Sequence, residues 1–458
     1  MASARLAPVA LPMLPRPELA PELPPAVYGS RLERLRARMD ARGLDQIVLY
    51  ADREHSANLA WLTGFDPRFE EAILVVGPTA RPVLLAGNEC IGLASVAPLP
   101  VDAVLFQDMS LPSQPRDRSR QLDDILADAG LRIGQSVGVV GWKAPADRSW
   151  IESPAYLVEV IRQITGPGGT VENATGLFID AADGLRATSE AIQIAAFEHA
   201  SCETSTGVRN LLFGVRPGLR EREAVQLLEW SGAPLSCHLM LTAGPRARFG
   251  LLSPGDRPIE RGDPLTVAFG IWGALTCRAG FVVESASALP DGIGDYIDRL
   301  VAPYFEAIAA WYGALHIGQT GGALQDIIDR HLGDPFFGIF LNAGHQLHLD
   351  EWLNSPIQRG SEIELASGMV LQADVIPATG GPYFTTNIED GIALADASLR
   401  ADLARDHPGL WDRVIQRRAF MTDALGIELH PDVLPLSNIP AFLPPFLLRP
   451  DLAMTLAV

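Results

Sequence analysis

The sequence predicts two folded domains of different class: an α/β domain over residues 28–183, then an α+β domain over residues 184–396. A Pro-rich arm (1–27) precedes them, and a helical and Pro-rich extension (397–458) follows. Three observations lead to this division. The chain has 458 residues, more than one ordinary hydrophobic core accommodates. Its first third alternates helical segments with short apolar runs, the pattern of a mostly buried sheet covered by helices. Then GLRATSEAIQIAAFEHASCETSTGVRNLL (184–212) reads as a connector running into a long helix, which puts the boundary near 180–186. Beyond it, helices at 219–231 and 292–313 separate strand pairs.

Each element has a local reason. The opening MASARLAPVALPMLPRPELAPELPPAV is broken by prolines every few residues, so it suits an extended arm better than a signal peptide. Ser30 followed by Glu33 is a capping-box pattern, and Leu32, Leu35 and Met39 then share one helical face. Gly43 is a natural stop. The basic run RLERLRARMDAR (31–42) alternates with apolar residues at helical spacing and reads as the solvated face of that helix. Strand-like QIVLY (46–50), helical ANLAWLTG (57–64), and strand-like AILVV (72–76), PVLLA (82–86) and VGVVG (137–141) complete the first domain. In the second, strands are expected at 236–243, 264–270, 275–284, 369–376 and 383–395. The segment PLSNIPAFLPPFLLRP (435–450) is too apolar for a free linker and should pack on the body as an irregular strap.

Composition excludes several function classes. The net charge is −19, from 36 basic and 55 acidic side chains, so no basic field exists to meet nucleic acid or an anionic membrane. No apolar run reaches the roughly 18–20 residues that span a bilayer. Cys90, Cys202, Cys237 and Cys277 form no CxxC pair, which argues against a zinc knuckle or a disulfide scaffold. A reducing cytoplasm is the expected location.

The densest polar cluster is LNAGHQLHLDEWL (341–353), followed by GMVLQADVIPA (368–378) and TTNIEDGIAL (385–394). His345, Asp374 and Glu389 are each flanked by apolar strand residues. Buried carboxylates without a cation are costly, so they have a partner or a shifted pKa. One imidazole with two carboxylates suits a hard or borderline divalent ion, or else a structural hydrogen-bond network. By contrast, the hairpin-like VAFGIWGALTCRAG (267–280) contains no acid.

The order of these features resembles the creatinase, prolidase and aminopeptidase P superfamily, whose catalytic domain has the pita-bread fold. The features are a small α/β domain, a Gly262-Asp263 turn, a hairpin, a GH-containing loop, GMVL plus an acid, and an IEDG strand. The likeness covers residues from about 28 to 396; GMVLQAD and NIEDGIAL are its most specific pieces. RLERLRARMDARGLDQIVLY and NLAWLTGF are similar to that family's N-terminal domain.

Metal-dependent members use two hairpin Asp, one His and two Glu. The resemblance places the His on His345, the first Glu on Asp374 and the second on Glu389. The hairpin Asp positions fall on Ala268 and Ala279, with the family's spacing of eleven kept. Two accessory His positions fall on Leu251 and Trp352. A dinuclear centre needs bridging carboxylates to hold four positive charges, so the resemblance implies either no metal or one divalent ion (Mn, Zn or Co) on His345, Asp374 and Glu389. Creatinase works without metal, but its His falls on Leu251 and its hairpin Glu on Phe281. The implied function is hydrolysis of a C–N bond in a small carboxylate-bearing substrate. The alternatives are an Xaa-Pro peptidase with a reduced metal site and a catalytically silent binding module.

Strand alternation adds expectations. If Ala268 and Ala279 face the cavity, then Thr266, Cys277 and Phe281 share that side and Arg278 points away. Cys277 is then either a small core residue or a thiolate nucleophile with His238 or His345 as base. His238 is expected on a strand along the cavity, as a core residue or a base. His348 could orient His345 or act as acid or base. Asp350 and Glu351 are the remaining nearby carboxylates. Arg246, Arg248 and Arg68 are surface residues by default, or partners for a substrate carboxylate; alternatively they neutralise Asp374 and Glu389. In creatinase the loop matching Arg68 reaches across a dimer, so the resemblance implies a homodimer.

Overall fold

Where the sequence places its first helix and strands, apolar spacing and backbone stops produce them. The structure, a computed structural model, describes residues 3–456. It divides into two compact units, Leu23–Ala187, and Met1–Glu22 together with Thr188–Val458.

The chain begins with strand β1 (Ala4–Pro8). Helix α1 (Pro25–Ala41) starts well before the expected cap at Ser30, with Pro24 at the N-cap position and Pro25 inside. The fixed φ of proline is already helical and its missing N–H costs nothing there. Ser30 and Glu33 therefore lie inside the helix, and no capping box forms at them. Leu32, Leu35 and Met39 are buried, and Gly43 follows with φ +64°. The basic run is not wholly solvated. Arg31 is buried, its guanidinium 4.9 Å from the Trp61 ring and donating to the Trp61 carbonyl at 2.8 Å.

Next come β2 (Gln46–Ala51), α2 (Ala57–Thr63), β3 (Ala72–Val76), β4 (Val83–Ala86), β5 (Asp102–Leu105), α3 (Leu122–Asp128), β6 (Ser136–Val140), α4 (Ala155–Thr165), β7 (Thr170–Asn173) and the single turn α5 (Gly176–Ile179). They form a six-stranded sheet in the order β5-β4-β3-β2-β6-β7. Its pairs are parallel except β2–β3 and β3–β4. Val48, Ile73, Val75, Leu85, Val137 and Val139 fill its core.

In the other unit, α6 (Ala191–Gly214) is the long helix expected from sequence. The helix expected at 219–231 is reduced to α7 (Glu221–Ala224) and a 3-10 turn, which Glu229 ends at φ +50°. Strands β8 (Met240–Ala243), β9 (Pro264–Ile271) and β10 (Ala274–Phe281) follow, then α8 (Ala302–Ala314) and α9 (Gly321–Leu332). Helix α9 escaped the sequence reading although Thr320 caps it through the Ala323 N–H. Strands β11 (His345–Gln346), β12 (Val370–Gln372), β13 (Asn387–Glu389) and β14 (Gly391–Leu394) precede α10 (Ala397–Asp406), α11 (Pro408–Ala419), β15 (Val433–Pro435) and β16 (Leu452–Leu456). Two four-stranded sheets result, β13-β10-β9-β8 and β11-β12-β14-β15, while β1 pairs antiparallel with β16. The single strand expected over 383–395 thus breaks at Asp390, sending β13 to one sheet and β14 to the other. The apolar strap at 435–450 is buried through Leu436, Ile439, Phe442, Leu443, Phe446 and Leu447. Among the described residues, no helix is long and apolar enough to cross a membrane.

Candidate active site

The hairpin of β9 and β10 sets the first wall. Ala268 stands opposite Cys277, and Thr266 opposite Ala279; directly opposed residues share a face. On the other side of β10, Cys277 pairs with Glu389 and Ala279 with Asn387. Glu389 is thereby delivered beside the two alanines. Arg278, between them in β10, points the other way and is buried. It donates to Asp390 Oδ2 at 2.7 Å and to the strap carbonyls of Phe442 at 2.7 Å and Ile439 at 2.5 Å. The alternation expected from sequence places Arg278 on the far face, but not the ion pair it makes there.

His345 comes from the second sheet. Gly344 before it has φ +140°, and a Cβ there would lie 2.5 Å from the Gln372 carbonyl, so only glycine admits this close entry into β11. His345 Nδ1 donates to the Gln346 carbonyl at 3.1 Å, which leaves the lone pair on Nε2. The loop after β11 then folds back: Gln346 and Asn354 form an antiparallel bridge, with Leu353 N–H donating to Gln346 O at 2.9 Å. That reversal lays the Trp352 ring flat on the His345 ring, centroids 4.2 Å apart at 14°. It also carries the Glu351 carboxylate to 3.5 Å from His345 Nε2, the same distance at which Glu389 Oε1 stands.

His345 Nε2, Glu389 Oε1 and Asp374 Oδ1 are buried and have no hydrogen-bond partner. The Glu351 side chain is 27% exposed and, with the exposed Trp352, forms the edge that meets solvent. Electrostatics follow from this enclosure. Burial, with the charge of Glu389 adding to it and His345 opposing, pushes Asp374 up to about 7. Glu389 is raised chiefly by burial and further by Asp390, against a hydrogen bond from Cys277 and the charge of Arg278. Glu351 is raised by burial and by Glu389, Asp374 and Asp350, with His345 opposing. One ligand atom each from His345, Glu351 and Glu389 lie within 4.8 Å of one another. That set fits one divalent ion, with Glu351 in it where the resemblance implied Asp374. Two ions do not fit, because the methyls of Ala268 and Ala279 coordinate nothing.

Residues 31–147 match the family described as the Creatinase/Prolidase N-terminal domain. The chain is similar in structure to a prolidase from Thermococcus sibiricus (TM-score 0.63, 18% identity, covering 81% of this chain and 95% of that one). It is also similar to an Xaa-Pro dipeptidase from Bacillus anthracis (0.62, 16%, 81% and 96%) and an X-Pro aminopeptidase from Thermotoga maritima (0.61, 16%, 80% and 95%). The fold is that of the creatinase and prolidase superfamily. No curated protein matches the chain in sequence, and at these identities the likeness speaks for the pita-bread architecture alone.

Within that pita-bread frame, several expected site residues are placed elsewhere. Cys277 is buried and hydrogen-bonded to Glu389, and burial and that carboxylate push its thiol well above the ordinary range. It stays protonated and does not suit a nucleophile. His238 precedes β8 rather than lying on it; it is exposed, with Nε2 donating to Leu251 O at 2.6 Å, so it cannot serve as the base for Cys277. Phe281 packs edge-on against Tyr296 and Phe384 in the main core. His348 is buried edge-on to Phe197, its Nδ1 accepting the Leu349 N–H. Arg246 is committed to the buried Glu221 carboxylate and donates to the Ser253 carbonyl at 3.0 Å. It therefore does not neutralise Asp374 or Glu389. Arg248 is exposed, 4.6 Å over the Phe249 ring. Arg68 belongs to the unit Leu23–Ala187, where its backbone N–H donates to Asp66.

Glu351 is the residue that sequence reasoning undervalued. Its signal was the DEW run directly after GHQLHL, where a tight reversal returns the chain over its own histidine. A cleft of about 700 Å³ in the other unit, lined by Arg38, Arg42, Arg148, Glu172 and Asp183 among others, holds none of these residues. Its arginines meet its own acids, Arg42 with Glu172 and Arg38 with Asp183.

Proposed function

We propose that this cluster is the active site of a hydrolase that cleaves a C–N bond in a small substrate without a dinuclear metal centre. One observation carries the reading: a buried imidazole lone pair aimed between carboxylates, with no hydrogen bond of its own. In the ion-free protein, His345 Nε2 can take a proton from a water held beside it and Glu389. Asp374, raised to about 7, can carry a proton to the leaving nitrogen near neutral pH. One divalent ion bound at these atoms would occupy the Nε2 lone pair and replace His345 as base, by supplying a water of lowered pKa and polarising the scissile group.

The carboxylate-bearing substrate expected from sequence loses two supports, since Arg246 is bound to Glu221 and Arg248 stands exposed. The excess of carboxyl groups favours a substrate that presents a cationic group to Glu389 and Asp374. An Xaa-Pro peptidase with one ion is the neighbouring enzymatic reading. The Trp352 ring covering His345 favours the opposite one, a silent binding module. A cytoplasmic homodimer accompanies the hydrolase reading, and sedimentation of the purified chain tests the dimer.

The deciding assay sets Xaa-Pro dipeptides, guanidino acids and ureido acids against the protein, with and without chelator. Wild type should release amine from at least one class, and His345→Ala should release none. Two tightly held ions per chain, or equal turnover by His345→Ala, would sink the proposal.

A further inference from the structure

We propose that His345, Glu351 and Glu389 form a mononuclear site for a divalent transition-metal ion, with Glu351 replacing the carboxylates that Ala268 and Ala279 lack. The inference deepens the hydrolase reading and rests on it only for the location of the site. Three observations converge. His345 Nε2 lies 3.5 Å from both Glu351 Oε1 and Glu389 Oε1. That is long for a charge-assisted hydrogen bond, which runs at about 2.7–2.9 Å. It is close to the edge of a coordination tetrahedron, roughly 3.3 Å for ligand bonds of about 2.0–2.1 Å. The Nδ1 donation to the Gln346 carbonyl fixes Nε2 as the ligating nitrogen, the support that metal-bound histidines ordinarily have. His345 Nε2 and Glu389 Oε1 are fully enclosed and bonded to nothing else, so an ion would relieve two orphaned groups at once.

Charge and access agree. Two carboxylates and a neutral imidazole balance a 2+ ion, and one nitrogen with two oxygens is a donor set for Zn²⁺, Co²⁺ or Mn²⁺. Three protein ligands leave a fourth position open. Glu351 is the partly exposed member, and it marks the side on which ion and water would enter. Arg278 does not compete for the place, because it faces away and pairs with Asp390.

The test uses full-length protein stripped with chelator, then titrated with Zn²⁺ by calorimetry and with Co²⁺ by visible absorption. One ion per chain and a four-coordinate Co²⁺ spectrum are expected. Glu351→Gln should weaken binding by at least the roughly 10–100-fold that changes to groups merely supporting a ligand cost. Thermal melting of each variant checks that it folds. Absence of Zn²⁺ heat and of a Co²⁺ spectrum would overturn the inference. So would two ions per chain, or binding that survives Glu351→Gln unchanged but fails in Asp374→Asn. Ion binding without turnover of any substrate would support the inference and count against the hydrolase; turnover by ion-free protein would do the reverse.

Discussion

Glu198 and Asp390 are buried as deeply as Glu389 and Asp374, yet each has an arginine against it. Glu198 on α6 accepts from Arg413 at 2.8 and 2.6 Å and from Arg417 at 2.6 Å, both on α11. Asp390 accepts from Arg278 and from the Ala441 N–H. At the candidate site the carboxyl groups meet a histidine, a thiol and one another. The difference shows in their acidity. Burial would raise Glu198, but the hydrogen bond from Arg413 and the charges of both arginines bring it below the usual range, whereas Asp374, Glu389 and Glu351 are all raised. One set of acids closes the fold by tying α6, α11 and the strap together. The other is held at a cost by the surrounding packing, which is how binding and catalytic groups are kept.

The largest break in this contrast comes from removing a matched cation. Arg278→Met leaves Asp390 buried with only a backbone donor, and the loss of one partner of a buried pair costs about 3–5 kcal/mol. Urea unfolding should show a loss of that size. A loss below about 1 kcal/mol, the worth of an exposed pair, would erase the distinction between the two sets.

Removing an unmatched acid should act in the opposite sense. Glu389→Gln relieves a carboxylate that burial disfavours, so unfolding should be unchanged or shifted upward by about 0.5–2 kcal/mol. The same preparation should lose hydrolysis by about 100-fold or more, the scale of a displaced acid–base group. Destabilisation comparable to Arg278→Met would make Glu389 a structural acid after all.

The two sets also predict opposite pH slopes. Asp374 titrates at about 7 in the folded chain against 3.8 as a free side chain. Between those values the folded state holds a proton that the unfolded state has released, so stability falls as pH rises through the window. Glu198 is depressed, so its contribution is present above its ordinary 4.5 and is lost as pH falls through its folded value. Ion-free protein should therefore melt at lower temperature near neutrality than in mild acid, and Asp374→Asn should flatten that slope. A melting temperature that rises steadily towards neutrality in wild type would contradict the assignment.

How much of this was legible depended on the kind of signal. Period and spacing were enough for β2, β3, α6 and the hairpin, and for the alternation that turns Arg278 away from Cys277. The polar cluster drew attention to His345, Asp374 and Glu389, and the resemblance offered them as one set; the ligand atoms that lie close together are those of His345, Glu351 and Glu389. Glu351 was hidden because its position depends on a loop reversal bridged by Gln346 and Asn354, which has no period. Arg31 and Arg278 were hidden for a related reason: composition marks arginine as surface, while burial follows from partners distant in the chain, such as Trp61 and Asp390. The capping box at Ser30 failed because Pro24 and Pro25 start the helix earlier.

The smallest expected effect bears on where the site ends. Arg248 was a candidate partner for a substrate carboxylate, but it stands exposed on the turn after β8 with its guanidinium over Phe249. An exposed cation–π contact is worth about 0.5–1 kcal/mol, and surface substitutions away from special features stay within about 0.5 kcal/mol. Arg248→Ala should thus leave the melting temperature nearly unchanged. It should also leave KM unchanged for any substrate that wild type turns over, whatever its charge. A tenfold rise in KM confined to carboxylate-bearing substrates, with kcat preserved, would extend the site to this turn. The unmatched acids would then face a cation supplied by the protein itself, and their contrast with Glu198 and Asp390 would become one of distance rather than of kind.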